Sequence, residues 1–217
     1  MPPDKFIRAA ERAGLIQCVT RSLFEKGLDA LSTWGDEVRI SFNLLAQDIS
    51  DRPFIFGLVA EVLRRGIAPG RIEFEITETA VMRDIDESRT LLKDLSLAGF
   101  NIALDDFGSG YSSFQYIDEL PLDKIKIDKS FVRKAARSLV SREIISGVIT
   151  LCDNLDLDCV LEGVETEAEL EMLSPLGTSI IQGYLFGRPM PNDDVSRLLK
   201  ADAIRNPGDL QPALQAG

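Results

Sequence analysis

Histidine is absent from the 217 residues. That absence removes Ser-His-Asp and Cys-His catalysis within the chain, His-ligated zinc, and the histidine-aspartate class of metal phosphodiesterases. Any metal site must then be built from oxygen ligands, which favours magnesium, manganese or calcium. Cysteine is scarce: Cys18, Cys152 and Cys159 show no Cys-x-x-Cys spacing and read as reduced packing thiols. Positive charge is also in deficit, with 24 Lys and Arg against 35 Asp and Glu, a net charge of -11. Such a surface repels a nucleic-acid polymer, but it admits a small phosphate ester where metal ions screen the carboxylates. No apolar run approaches membrane-spanning length, and no basic segment followed by an apolar stretch opens the chain. A cytoplasmic location is the expectation.

What is present is a steady alternation of strand and helix signals. Strands are predicted at 38–44, 71–77, 101–107, 124–128, 158–164 and 180–186, as short β-branched or aromatic runs. Amphipathic helices are predicted between them at 53–65, 86–98 and 138–155, with two more ahead of the first strand at 3–12 and 16–31. Strand starts lie roughly 22 to 34 residues apart, the period of right-handed βαβ units in a parallel sheet. The domain is expected over 1–201, with a disordered tail over 202–217. A doubly wound sheet and a TIM-type barrel both fit this order. Two features favour the barrel: no Gly-rich nucleotide fingerprint follows the first strand, and every predicted strand carries a polar residue near its C-terminal end.

Those polar residues carry the chemistry. Asp105-Asp106, ahead of Phe107-Gly108-Ser109-Gly110, pairs two carboxylates that repel unless a cation intervenes. Two magnesium or manganese ions about 3.5–4 Å apart would satisfy them, and an exposed helix-capping turn is the plain alternative. Glu73 and Glu75 share one strand face, so they are either solvated or costly enough to need a partner. Lys126 and Asp128 alternate in the same way, as an ion pair or as a group facing a phosphate. Glu162 closes an apolar run, and Glu165 has the plainer reading of a helix N-terminal partner. Glu169 is placed on a solvent face. Asn43 and Gln182, each alone, read equally well as structural hydrogen-bonders. Each plain reading is respectable by itself, but six such positions at one end of the strands describe a hard-cation site for a phosphate.

The order of these motifs resembles the EAL family. The landmarks are Pro3-x-x-Phe6-Ile7-x-x-Ala10-Glu11, Ser41-Phe42-Asn43-Leu44, Glu73-Phe74-Glu75-Ile76-Thr77-Glu78, the Asp105-Asp106 loop, Lys126-Ile127-Asp128, Glu162-Gly163-Val164-Glu165-Thr166 and Gln182-Gly183-Tyr184-Leu185-Phe186. The resemblance implies a TIM-like (β/α) barrel that hydrolyses cyclic di-GMP to linear pGpG with two magnesium or manganese ions. It implies Asn43, Glu75, Asp105 and Asp106 as metal ligands, with Asp105 bridging, and Lys126 orienting the attacking water. Glu162 resembles the essential glutamate beside the metals, often assigned as base. Glu78 resembles the anchor of the Asp-Asp loop, Glu165 and Gln182 line the site, and Asp128 supports it. The family also carries about two earlier strands, the second ending in a metal-ligating glutamate and a dinucleotide-binding arginine that these 217 residues do not contain. About six strands of an incomplete barrel are therefore expected, with weak or absent hydrolysis by this chain alone. The alternative is a module that binds cyclic di-GMP or a protein without turnover. An open barrel side exposing Ile40, Phe42, Ile181 and Tyr184 is expected to drive self-association, or to be covered by an upstream domain or partner.

Overall fold

The computed structural model describes residues 3–108, 116–177 and 180–205. The helices α1 (Pro3–Arg12) and α2 (Ile16–Leu31) lead into β1 (Ile40–Leu44), α3 (Ala46–Ile49), α4 (Arg52–Arg64) and β2 (Ile72–Thr77). The chain continues through α5 (Glu78–Val81), α6 (Ile85–Leu97), β3 (Asn101–Phe107), β4 (Lys124–Ile127), α7 (Lys129–Ala135), α8 (Leu139–Asn154), β5 (Asp158–Leu161), α9 (Glu167–Leu173), β6 (Ile180–Ile181) and α10 (Asn192–Arg205). Helix starts follow local chemistry. The side chains of Asp51, Asp84 and Ser138 accept the N–H of Phe54, Glu87 and Ser141, each satisfying a donor that the first helical turn leaves over. Helix α10 runs across the tail boundary expected at 201, and residues 206–217 lie outside the described residues.

All six strands are parallel and lie in chain order, β1-β2-β3-β4-β5-β6. A doubly wound sheet would reverse its strand order part-way. Sequential order instead curls the sheet one way, as in a (β/α) barrel. Among the described residues the sheet does not close, and β1 and β6 are its two edges.

Strand alternation divides the sheet into two unlike faces. Ile40, Leu44, Ile72, Phe74, Ile76, Ile102, Leu104, Ile125 and Leu161 are buried on the face that meets the helices. There Phe24 of α2 packs edge-on to Phe42 at 4.9 Å and stacks with Phe74 at 6.1 Å. The opposite, concave face is polar. The Ser41 hydroxyl donates to Glu73 at 2.8 Å, and Lys124 pairs with the same glutamate at 2.6 Å.

This division corrects the expectation of an apolar interior exposed at the open side. Ile40 is only 4% exposed, and Phe42 is half-buried against Phe24, both in the helix layer. Ile181 is half-buried against the same core, and the exposed Tyr184 follows β6 with the Arg188 guanidinium over its ring at 4.7 Å. The drive for self-association thus reduces to unpaired strand-edge backbone. Sedimentation velocity at micromolar concentration is expected to show a dimer or larger species; a compact monomer that binds little hydrophobic dye would sink that expectation.

The last predicted strand is also too long. Tyr184, Leu185 and Phe186 have strand-like composition, but only Ile180–Ile181 pairs with β5. At Gly183 the chain lies on the backbone of Val164, and Phe186 N–H turns back to the Gly183 carbonyl. A Cβ on Gly183 would sit 2.0 Å from the Val164 carbonyl oxygen and 2.4 Å from its nitrogen. Gly183→Ala is expected to cost about 1–3 kcal/mol or more through overpacking. Gly147→Ala, exposed in α8 with nothing near its Cβ, should stabilise by about 0.5–1 kcal/mol. Urea midpoints of the two variants check both signs.

Candidate active site

The site forms because β3 and β4 fall out of step. Leu104 pairs with Ile125 and Phe107 with Ile127, so two residues, Asp105 and Asp106, oppose the single Lys126. That is a β-bulge, and it returns Phe107 to the buried helix-facing side while both aspartates stay on the concave side. Asp106 takes a left-handed backbone, φ 55°, and its N–H donates to the Asp105 carboxylate at 2.9 Å. A non-glycine residue in that region stores strain, which is a feature of functional loops.

Around the bulge, three carboxylates converge on one ammonium, with Asp106 beside them. Lys126, with its side chain 3% exposed, places Nζ 2.8 Å from Glu75, 3.3 Å from Asp105 and 2.7 Å from Glu162. Ligand oxygens of Asp105, Asp106 and Glu162 all lie within 4.8 Å of one another. Burial pushes the carboxyls of Glu75, Glu162 and Asp106 above their ordinary range. The Asp105 carboxylate adds to that, and Lys126 opposes it without cancelling it. Burial alone would lower Lys126, but Glu75, Asp105 and Glu162 reverse this and hold it above the usual lysine value. Among the described residues, one lysine shared by three of these four buried or half-buried carboxylates leaves a deficit of positive charge. An all-oxygen donor set with that deficit fits hard divalent cations.

Other expected residues are arranged around this centre. Asn43 is exposed on β1 and pairs in register with Glu75. Asp128 caps α7, accepting the Ser130 N–H at 3.0 Å, and its charge reaches Asp106. Glu78 opens α5, buried beside the Tyr116 hydroxyl. Burial and that carboxylate together raise the Tyr116 pKa. Tyr116 is the first described residue after the segment 109–115, whose Ser109 and Gly110 lie outside the described residues. Gln182 extends the β5–β6 ladder, its N–H donating to Leu161 at 2.9 Å and its carbonyl accepting from Val164 at 3.1 Å. Glu165 is not drawn into the cluster: it is exposed and pairs with Arg133 at 3.3 Å.

Glu169, expected on a solvent face, instead closes a capping box, accepting the N–H groups of Glu165 and Thr166 at 2.8 and 3.1 Å. Sequence reasoning also missed Tyr116, Arg133 and the Ser41–Glu73–Lys124 layer beneath the site. The repeat of Glu73 with Glu75 and of Lys124 with Lys126, two residues apart, was the signal for that layer.

The EAL domain model matches residues 1–189. The chain belongs to the EAL family. It is 36% identical over 197 residues to the bifunctional diguanylate cyclase/cyclic di-GMP phosphodiesterase MucR of Pseudomonas aeruginosa, covering 89% of this chain and 29% of that protein. The chain therefore spans less than a third of that relative's length. Among solved structures it is similar to the PaMucR phosphodiesterase in complex with c-di-GMP, with TM-score 0.81, 35% identity, and coverage of 90% of this chain and 81% of that one. It is also similar to a manganese and cyclic di-GMP complex of Klebsiella pneumoniae BlrP1, with TM-score 0.67, 35% identity, and coverage of 71% and 39%. No described helix is long and apolar enough to cross a membrane.

A metal test follows from the geometry of the EAL site. Manganese or magnesium is expected to raise the melting temperature of the chain by several degrees. Asp105→Asn should remove most of that rise and Glu171→Gln, exposed on α9, none of it. Glu169→Gln is a poor control because it removes a cap. Equal shifts in the Asp105→Asn and Glu171→Gln variants would remove the case for the cradle.

Proposed function

We propose that this chain carries the catalytic face of a cyclic di-GMP phosphodiesterase, hydrolysing one phosphodiester to give linear pGpG. The observation that carries this reading is the bulge that sets Asp105 and Asp106 against Lys126 beside Glu75 and Glu162. Asn43, Glu75, Asp105 and Asp106 would hold two magnesium or manganese ions. Such ions polarise a phosphoryl oxygen and lower the pKa of bound water. Lys126 is held by three carboxylates and is positioned to orient the attacking water. Glu162, with a carboxyl made more basic by burial, is positioned to accept that water's proton. Asp128, which caps α7, and Glu78, beside Tyr116, would support the site, and Gln182 and Glu165 would line it toward the dinucleotide.

The same geometry supports slow turnover by the 217 residues alone. Asn43 stands on an open edge, and neither of the family's further groups, the metal-ligating glutamate and the dinucleotide-binding arginine, lies in this chain. One such electrostatic group is typically worth about 2.7–4 kcal/mol. The test is incubation with cyclic di-GMP and manganese, with binding read by calorimetry and pGpG by chromatography. Metal-dependent binding with slow product formation is expected. Binding with no product over hours would favour the alternative of a non-catalytic sensor, which the open edge beside Asn43 also suits. A turnover within about threefold of an intact relative would overturn the role given to the absent groups.

A further inference from the structure

A second charged feature lies outside the carboxylate cluster and has the opposite sign. Where α7 ends and α8 begins, an open groove of about 720 Å³ is lined by Arg133, Lys134, Arg137, Ser138, Ser141 and Glu169. None of the carboxylates around Lys126 lines it. Three cationic side chains in one groove run against a chain of net charge -11. They create a local positive field.

The groove is built rather than incidental. Arg142 Nε donates to the Ala135 carbonyl at 2.8 Å and locks the α7–α8 junction. Ser138 caps α8, a helix of 16 residues, so the positive end of its dipole opens onto the groove. Ser141, in the first turn, is 9% exposed, lines the groove, and its hydroxyl makes no hydrogen bond among the described residues. The Arg137 guanidinium, exposed beside it, likewise has no partner among the described residues. Lys134 lies 5.6 Å from the Phe131 ring and keeps its donors free for a ligand. The acidic member, Glu169, is committed to capping α9. Only Arg133 is engaged, through its exposed 3.3 Å pair with Glu165.

We propose that this groove binds a phosphate monoester. The fork of Arg137, the point charge of Lys134, the Ser141 hydroxyl and the α8 N-terminus together match a terminal dianionic phosphate. A volume of about 720 Å³ is in the range of small-ligand pockets and exceeds what inorganic phosphate fills, so a nucleoside 5′-monophosphate is the better fit. Arg133, which lines the groove, pairs with Glu165, three residues after Glu162, and so connects the groove to the rim of the EAL site.

Calorimetry of the chain in chelator and constant salt tests this without any metal or turnover, so its outcome is independent of the phosphodiesterase reading. The probes are inorganic phosphate, GMP and guanosine. Saturable binding of GMP, weaker binding of phosphate and none of guanosine are expected. Equal affinity for phosphate and GMP would assign the groove to free phosphate. Arg137→Gln and Ser141→Ala should each weaken binding at least fivefold, whereas Arg197→Gln, exposed on α10, should leave it unchanged. Absence of saturable binding, binding of guanosine equal to that of GMP, or equal losses in the Arg137→Gln and Arg197→Gln variants would overturn the proposal.

Discussion

Replacing Lys126 by methionine is expected to unfold much of the chain in chelator, and manganese is expected to restore it in part. The Lys126 ammonium contacts Glu75, Asp105 and Glu162, at 2.8, 3.3 and 2.7 Å, with its side chain 3% exposed. Removing one partner of a buried ion pair typically costs about 3–5 kcal/mol, because the remaining charge is left uncompensated. Against a total stability of about 5–15 kcal/mol, that loss is large. A divalent ion in the same cluster supplies the missing positive charge and recovers part of it. Lys124→Met is the matched control. It breaks the neighbouring pair with Glu73, one layer down the same face, where side-chain exposures are 17% and 9%. That layer lacks the aspartate pair, so manganese should not rescue the Lys124→Met variant. Denaturant titrations of both variants with and without metal read the difference. Equal loss and no rescue in both would mean that Lys126 is only a structural ion pair.

The sequence made the strand register legible where one face is apolar. Asn101–Phe107 falls where expected because Ile102, Leu104 and Phe107 are all buried. The same alternation also hid the bulge: by period two, Asp105 and Asp106 should face opposite sides, and only the pairing of Phe107 with Ile127 shows that they do not. The doubly wound and barrel readings share one element order, and spatial strand order alone separates them. Helices α3, α5, α7 and α9, of four to seven residues, are too short for helical periodicity to declare itself. The sequence already separated Glu162, closing an apolar run, from Glu165, with its plainer reading as a helix N-terminal partner, although the family resemblance placed both at the site. They part in space because Glu162 stays on the concave face while Glu165 follows Gly163 and Val164 out of the strand to Arg133. The interior polarity was half visible, since Glu73 and Glu75 announced a polar face, but Ile40 and Phe42 on the neighbouring strand were expected in the open interior and belong to the helix layer.

The separation of those two glutamates gives the second large effect. Glu162→Gln is expected to lower the rate of pGpG formation by about 10²–10⁴-fold, the usual contribution of a positioned general base. Single-turnover measurements with enzyme in excess, over hours, read rates this slow. The amide keeps an oxygen that can accept from Lys126, so the fold should persist and the melting temperature in chelator should change little. Glu165→Gln removes only an exposed pair with Arg133, side chains 59% and 46% exposed, and should leave the rate within a fewfold. The manganese-induced rise in melting temperature divides the two roles open to Glu162, which lies with Asp105 and Asp106 in the metal-competent group. A rise that survives in Glu162→Gln while turnover is lost identifies the carboxylate as proton acceptor. A rise that disappears with turnover identifies it as a metal ligand. Turnover retained within about threefold would sink both roles and move the search for the base to another residue of the concave face.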